Sequence, residues 1–194
     1  ILFSASCQQN SNTEKETAED PTEEVVETGD NESSAEEKAA GWELLFDGNV
    51  IDKWRVFNRD TMSGWEVKDG EMVALGTESA DIISKEQFEN FELKVDWKVS
   101  TGGNSGIFFN VVEDTSYFAV YQTEPEYQIV DDYEFQEPLE GWQKAAANYG
   151  MHPAFKQVSK GANEYNSSMN RVENGHVTHW LNGEQVVEYD LWTP

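Results

Sequence analysis

Phe91-Glu-Leu-Lys-Val-Asp-Trp-Lys-Val99 alternates without a break: Phe91, Leu93, Val95, Trp97 and Val99 take one face, and charged residues take the other. Successive side chains of a strand point to opposite faces, so this run is a strand with one buried and one wet face, as in an antiparallel sheet. A helix of the same residues would carry charge around its whole circumference. Working outward, Trp65 to Leu75 reads as two short runs joined by Asp69-Gly70, a hairpin signal, and His176 to Tyr189 repeats the design around Asn182-Gly183. Ile107 to Val112 and Tyr127 to Val130 add runs rich in β-branched and aromatic residues. No segment shows a helical stripe over three turns, although 87–90 and 143–147 each suit a short helix. Many short strands with glycine-bearing turns predict an all-β sandwich or jelly roll.

Composition divides the chain. Of 194 residues, 38 are acidic and 13 basic, a formal net charge of -25. Such a surface repels nucleic acid, whose binding rests on Lys and Arg neutralising phosphates, and it disfavours anionic membrane surfaces. A neutral ligand such as a carbohydrate fits the balance, as does a cation. Between Gln8 and Ala40 eleven acidic residues face only Lys15 and Lys38, with no aromatic residue. That segment cannot bury enough apolar surface to offset the entropy of ordering, and disorder is expected over 8–40. All seven tryptophans lie from Trp42 onward, so 41–194 is read as one β-sandwich domain.

The chain opens Ile-Leu-Phe-Ser-Ala-Ser-Cys, which reads as the end of a signal peptide (residues 1–7) with a lipobox-like cysteine. Cys7 is the single cysteine, so no internal disulfide forms, and it is the candidate for lipidation. Ser4 stands where a lipobox usually has Leu; a chance cysteine in a leader is the alternative. No later run reaches the ~18 apolar residues that span a bilayer. The expectation is a bacterial envelope lipoprotein, in the periplasm or at the outer membrane, touching the membrane only through its lipid.

Glu124-Pro-Glu-Tyr-Gln-Ile-Val-Asp-Asp132 is the most informative run for chemistry. If Tyr127 and Ile129 face the core, Glu126 and Gln128 stand together on the open face, a base or metal ligand beside a hydrogen-bonding amide. An ordinary solvated face is the bland alternative. Asp131 and Asp132 close the strand, where turn residues are expected anyway. Thr101-Gly-Gly-Asn-Ser-Gly106 reads as a loop feeding a strand, with glycines that permit close backbone approach. His176 and His179 are three apart on one strand and point to opposite faces, so they do not share a metal. His179 shares a face with Val177 and Leu181; a hydrogen-bonded core histidine competes there with a catalytic one. His-Glu-x-x-His, Gly-x-Ser-x-Gly and paired cysteines do not occur.

These runs, taken in order, resemble the 3-keto-disaccharide hydrolase family, with its concanavalin A-like (laminin G-like) jelly roll of two antiparallel sheets. The matching pieces begin with Gly41-Trp-Glu-Leu-Leu-Phe-Asp-Gly48, Trp54, Trp65-Glu-Val-Lys-Asp-Gly70 and Phe91-Glu-Leu-Lys-Val95. They continue with Gly103-Asn-Ser-Gly-Ile107, Pro125-Glu-Tyr-Gln-Ile-Val-Asp131, Ala147-Asn-Tyr-Gly150 and His176-Val-Thr-His-Trp-Leu-Asn-Gly183. Two departures stand out: Glu164-Tyr-Asn166 replaces the family's Glu-Trp-Asn, and family members continue past Leu191-Trp-Thr193 into a further strand. The resemblance therefore implies a domain without its C-terminal strand or strands, leaving an unpaired sheet edge.

The resemblance also implies a substrate, a glycoside whose C3 hydroxyl a separate oxidoreductase has oxidised to a ketone. The ketone acidifies the C2 proton; a base removes it and the C1 substituent is expelled, by elimination or net hydrolysis. On this reading Glu126 is the base or a metal ligand, and His179 is a second catalytic candidate with Tyr149. Asn104, Gln128, Asp131 and Tyr149 contact the substrate. A divalent metal ion polarising the ketone is a further implication, with no ligands assigned; no nucleotide or organic cofactor is expected. Two other classes compete. A classical retaining hydrolase would pair Glu124 with Glu126 at about 5–5.5 Å. A non-catalytic, lectin-like module would stack sugars on exposed rings, with Trp142 and Tyr149 as candidates.

Overall fold

The computed structural model describes residues 4–9, 31–76 and 79–192. The protein is an all-β, jelly-roll sandwich in which every strand pairing among the described residues is antiparallel. The larger sheet contains β1 (Ser4–Gln9), β2 (Trp42–Leu44), β7 (Phe91–Trp97), β10 (Asn166–Glu173), β11 (His176–Leu181) and β12 (Glu184–Asp190), in the order β12-β11-β10-β7-β1-β2. Opposite it lie three strand pairs. They are β3 (Trp54–Val56) with β6 (Ile82–Ser84), β4 (Trp65–Lys68) with β5 (Glu71–Ala74), and β8 (Asn104–Phe108) with β9 (Glu126–Val130).

Alternation places the core. Phe91, Val95, Trp97 and Val99 are buried, and Leu93 packs against them, while Lys94 and Asp96 face water. From across the sandwich, Tyr127 and Ile129 of β9 meet Val172, Val177 and Leu181 of the larger sheet in one cluster. Each such side chain contributes roughly 1.5–3 kcal/mol by leaving water. Asp69-Gly70 (φ 53 and 79) and Asn182-Gly183 (φ 50 and 83) turn their hairpins with both central residues in the left-handed region, the geometry that matches strand twist.

Three local expectations differ from the structure. No helix forms at 87–90, and at 143–147 the chain leaves a 3-10 turn (Gly141–Gln143) for a tight turn in which Ala147 N donates to Lys144 O at 3.1 Å. Ala146, at φ 66, redirects the backbone, and the segment takes its hydrogen bonds from β9: Ala146 N donates to Gln128 O (2.8 Å) and Gln128 N to Ala147 O (3.0 Å). Partnering a buried strand outweighs the helical preference of three alanines. Within 8–40, where disorder is expected, residues 10–30 lie outside the described residues. Residues 35–39 form a short helix, α1 (Ala35–Ala39), closed by a capping box between Ser34 and Glu37. At the start of the chain, Cys7 lies in β1 opposite Leu93 on one side and Glu43 on the other.

Candidate active site

A cleft of about 1240 Å³ opens between β6 and β8. Phe91, Leu93 and Val95 of β7 form its apolar floor, and Trp54, Trp65, Asp81, Asn104, Phe108 and Glu126 are among its walls. Among the described residues no strand pairs with the cleft-facing edge of β6 or of β8. The two tryptophans are pinned by their ring nitrogens, Trp54 to Leu45 O (2.7 Å) and Trp65 to Ala80 O (2.8 Å). Arg55 and Glu113 form a bidentate ion pair at the rim, so the guanidinium charge there is matched by a carboxylate.

Glu126 opens β9, opposite Phe108 and beside Gly106, on the face away from Tyr127 and Ile129. The apolar pair is wholly buried, as its pattern predicts, and Glu126 is half-buried in the cleft wall. Burial, reinforced by the negative charge of Asp81, pushes its carboxyl up from 4.5 to about 7. Asp81 is held by Val120 N, which donates to its carboxylate at 3.2 Å. Burial alone raises Glu124 to about 7.

The remaining sequence candidates divide. Asn104 is exposed in the cleft wall. Tyr149 is exposed beside β9, its backbone N–H donating to Glu126 O at 3.0 Å, and its ring meets Trp142 edge-on at 5.5 Å. Gln128 shares the face of Glu126 but is not open: it is 2 % exposed, enclosed where Ala145–Asn148 joins the edge of β9. Asp131 is equally closed, and its carboxylate accepts from Gly102 N (2.9 Å) and Tyr133 N (3.1 Å), which makes it a loop anchor. His179 lies between the sheets against Phe109, Tyr127 and Tyr189, with Nδ1 bound to Ala146 O at 2.9 Å. Burial lowers it from 6.5 to about 4, so it is a neutral core residue out of reach of substrate. Cys7 lies in β1.

Sequence reasoning missed Asp81, which sits in no motif and meets Glu126 only through the fold. It also missed Gly106 as a neighbour of Glu126, although the glycines of 102–106 signal close approach. Among the described residues no group of three or more His, Cys, Asp or Glu side chains is arranged to hold a metal ion. The described side chains thus supply no ready set of ligands for the implied cation.

Residues 41–194 match the family described as the 3-keto-alpha-glucoside-1,2-lyase-like domain. The chain belongs to that family. A 3-keto-disaccharide hydrolase of Bacteroides thetaiotaomicron is 35% identical over 175 residues, which are 80% of this chain and 60% of the relative. The chain thus spans less than two thirds of that relative's length. A Parabacteroides distasonis protein solved under the name of a glycosyl hydrolase superposes with a TM-score of 0.81 at 39% identity, covering 85% of this chain and 79% of the other. A second such structure from that organism gives 0.60 at 29%, covering 72% and 73%. The 3-keto-alpha-glucoside-1,2-lyase-like domain therefore supplies the cleft and every described strand of the sandwich except β1.

Proposed function

We propose that the domain cleaves 3-keto-glycosides, with Glu126 as the base that removes the C2 proton. The observation that carries this is a carboxyl raised to about 7 in the wall of a cleft that Trp54, Trp65 and Asn104 also line. A base works best with a pKa near the operating pH, and burial beside Asp81 provides that.

The step balances within the substrate. The Glu126 carboxylate takes the C2 proton and becomes the acid, and the C–H electron pair moves into an enolate on the C3 oxygen. The enolate reforms the ketone as the C1–O bond breaks, which leaves a C1=C2 double bond; the departing oxygen takes a proton from Glu126 or water. Water added across C1=C2 turns elimination into net hydrolysis. Asn104 Nδ2 is the donor we assign to the C3 oxygen. A separate oxidoreductase supplies the ketone.

Glu126→Gln tests the reading, because the amide keeps the shape and cannot accept the proton. Turnover of a 3-keto-glucoside falls by about 10²–10⁴-fold, while binding persists. Near-unchanged turnover removes Glu126 from the role. The exposed Trp142–Tyr149 pair favours a second reading, a lectin-like module; binding of plain glycans with no product from the keto-glycoside supports it.

We also propose that Cys7 is acylated at the bacterial envelope. Cleavage before Cys7 would remove Ser4, Ala5 and Ser6 from β1, and with them their pairing to Asp96, Val95 and Lys94 of β7.

A further inference from the structure

The side chain of Glu126 does not rise straight from its strand. It leans past its direct partner Phe108 and lies over Gly106, the diagonal neighbour on β8. A Cβ built on Gly106 falls 2.7 Å from both Cγ and Cδ of Glu126, and closer still to Oε1. Its three nearest neighbours are all atoms of that one side chain. Gly106 has no left-handed φ, so no turn requires a glycine there. Gly103 in the same run is different: a Cβ there meets Ser100 O at 2.8 Å and Val99 Cβ at 2.9 Å, within the fold itself.

We propose that Gly106 is a positioning residue, whose bare Cα is the seat on which the Glu126 carboxyl is laid and aimed into the cleft. The proposal rests on the reading of Glu126 as the base and says what fixes that base in place. Around the seat the charged neighbour is Asp81, from the chain leading into β6; the β8 residues beside it, Asn104, Ser105 and Phe108, carry no charge. A methyl at 106 displaces only the end of a flexible side chain, so the fold survives while the carboxyl swings off β8 toward water. A carboxyl moved in that way titrates closer to its ordinary 4.5.

The test is the side-chain carboxyl titration of residue 126, followed by carbon NMR in the full chain and in its Gly106→Ala variant. Turnover of a 3-keto-glucoside is measured beside it. The titration midpoint falls toward 4.5 in the variant, and kcat drops about tenfold or more, since misplacing a catalytic group by an ångström costs up to about 10². An unchanged midpoint overturns the proposal. A shifted midpoint with turnover unaffected by both Gly106→Ala and Glu126→Gln keeps the seat and removes the base. Stability gives a second route should Gly106→Ala fold poorly. The same change in a Glu126→Ala background is then tolerated, because the clash has gone, and an equal loss in both backgrounds overturns the seat.

Discussion

The hydroxyls of Tyr127 and Ser168 meet at 2.8 Å in the middle of the sandwich, one from each layer. Ser168 donates to Tyr127, Tyr127 donates to Trp180 O at 2.9 Å, and Trp97 Nε1 donates to Ser168 at 2.6 Å. This chain joins β7, β10 and β11 to β9, the strand that begins with Glu126. Tyr127→Phe keeps the ring and removes the link, leaving Ser168 and Trp180 O short of partners. Stability falls by about 1–3 kcal/mol, which calorimetry reads as roughly 2–4 °C of Tm for each kcal/mol in a domain of this size. The Glu126 titration stays as it was, because its neighbours lie on the other face of β9.

The pH dependence of stability carries two opposed contributions. Glu124 and Glu126 titrate at about 7 in the fold against 4.5 outside it, so the native state holds protons that the unfolded chain has released. Their contribution is fully present below about 4.5 and is lost as pH rises through 7. His179 runs the other way. It titrates at about 4 against 6.5, the unfolded chain takes up its proton first, and stability is lost as pH falls from 6.5 to 4. Chemical unfolding between pH 4.5 and 6.5 separates them: Glu126→Gln reduces the gain in stability on acidification, and His179→Gln enlarges it. If neither slope moves, these groups are not shifted by the fold.

What was legible in the sequence was local. The alternation of 91–99 fixed the buried face of β7, and Asp69-Gly70 and Asn182-Gly183 marked two hairpins because few other pairs accept two left-handed residues. The site was only half legible. Glu126 and Gln128 share a face, as their spacing dictates, yet only Glu126 reaches the cleft. The segment that encloses Gln128 comes from 145–148, and no local pattern announces that pairing. His179 failed as a catalyst for a related reason: alternation grouped it correctly with Val177 and Leu181 but could not say that this face turns inward. Asp81 reaches Glu126 across 45 residues of chain.

Activity should follow the ionisation of Glu126. A base must be unprotonated to act, so kcat/KM for a 3-keto-glucoside climbs with pH and levels off above about 7. Asp81→Asn removes the negative charge that raises Glu126, and the rising limb moves to lower pH. A limb that stays in place in Asp81→Asn means that Asp81 does not tune the base.

The N-terminus is open to a direct test. Lipidation at Cys7 predicts a mature chain in the bacterial membrane fraction that begins at that residue and carries acyl mass. Mass spectrometry of the N-terminal peptide reads both properties. Cys7→Ser removes the acyl mass and releases the protein into the soluble fraction. An unmodified Cys7 preceded by Ser6 excludes the anchor and leaves β1 intact in the larger sheet.

Trp142 and Tyr149 should govern how substrate is held and not how it reacts. Tyr149 is tied to β9 by its N–H on Glu126 O, and Gly150 N donates to Trp142 O at 3.3 Å, so two exposed rings are held at the edge of β9 away from β8. Rings of this kind present a flat apolar surface to the C–H face of a pyranose, and an aromatic contact is worth about 0.5–1.5 kcal/mol beyond the area it buries. Neither ring approaches the C2 proton in the scheme, so the contact is equal in the ground and transition states. Trp142→Ala therefore raises KM by about two- to tenfold with kcat close to that of the parent, the signature of lost uniform binding. Glu126→Gln does the reverse. A Trp142→Ala variant that loses kcat at constant KM would put the ring in the chemistry, and the division between platform and base would have to be redrawn.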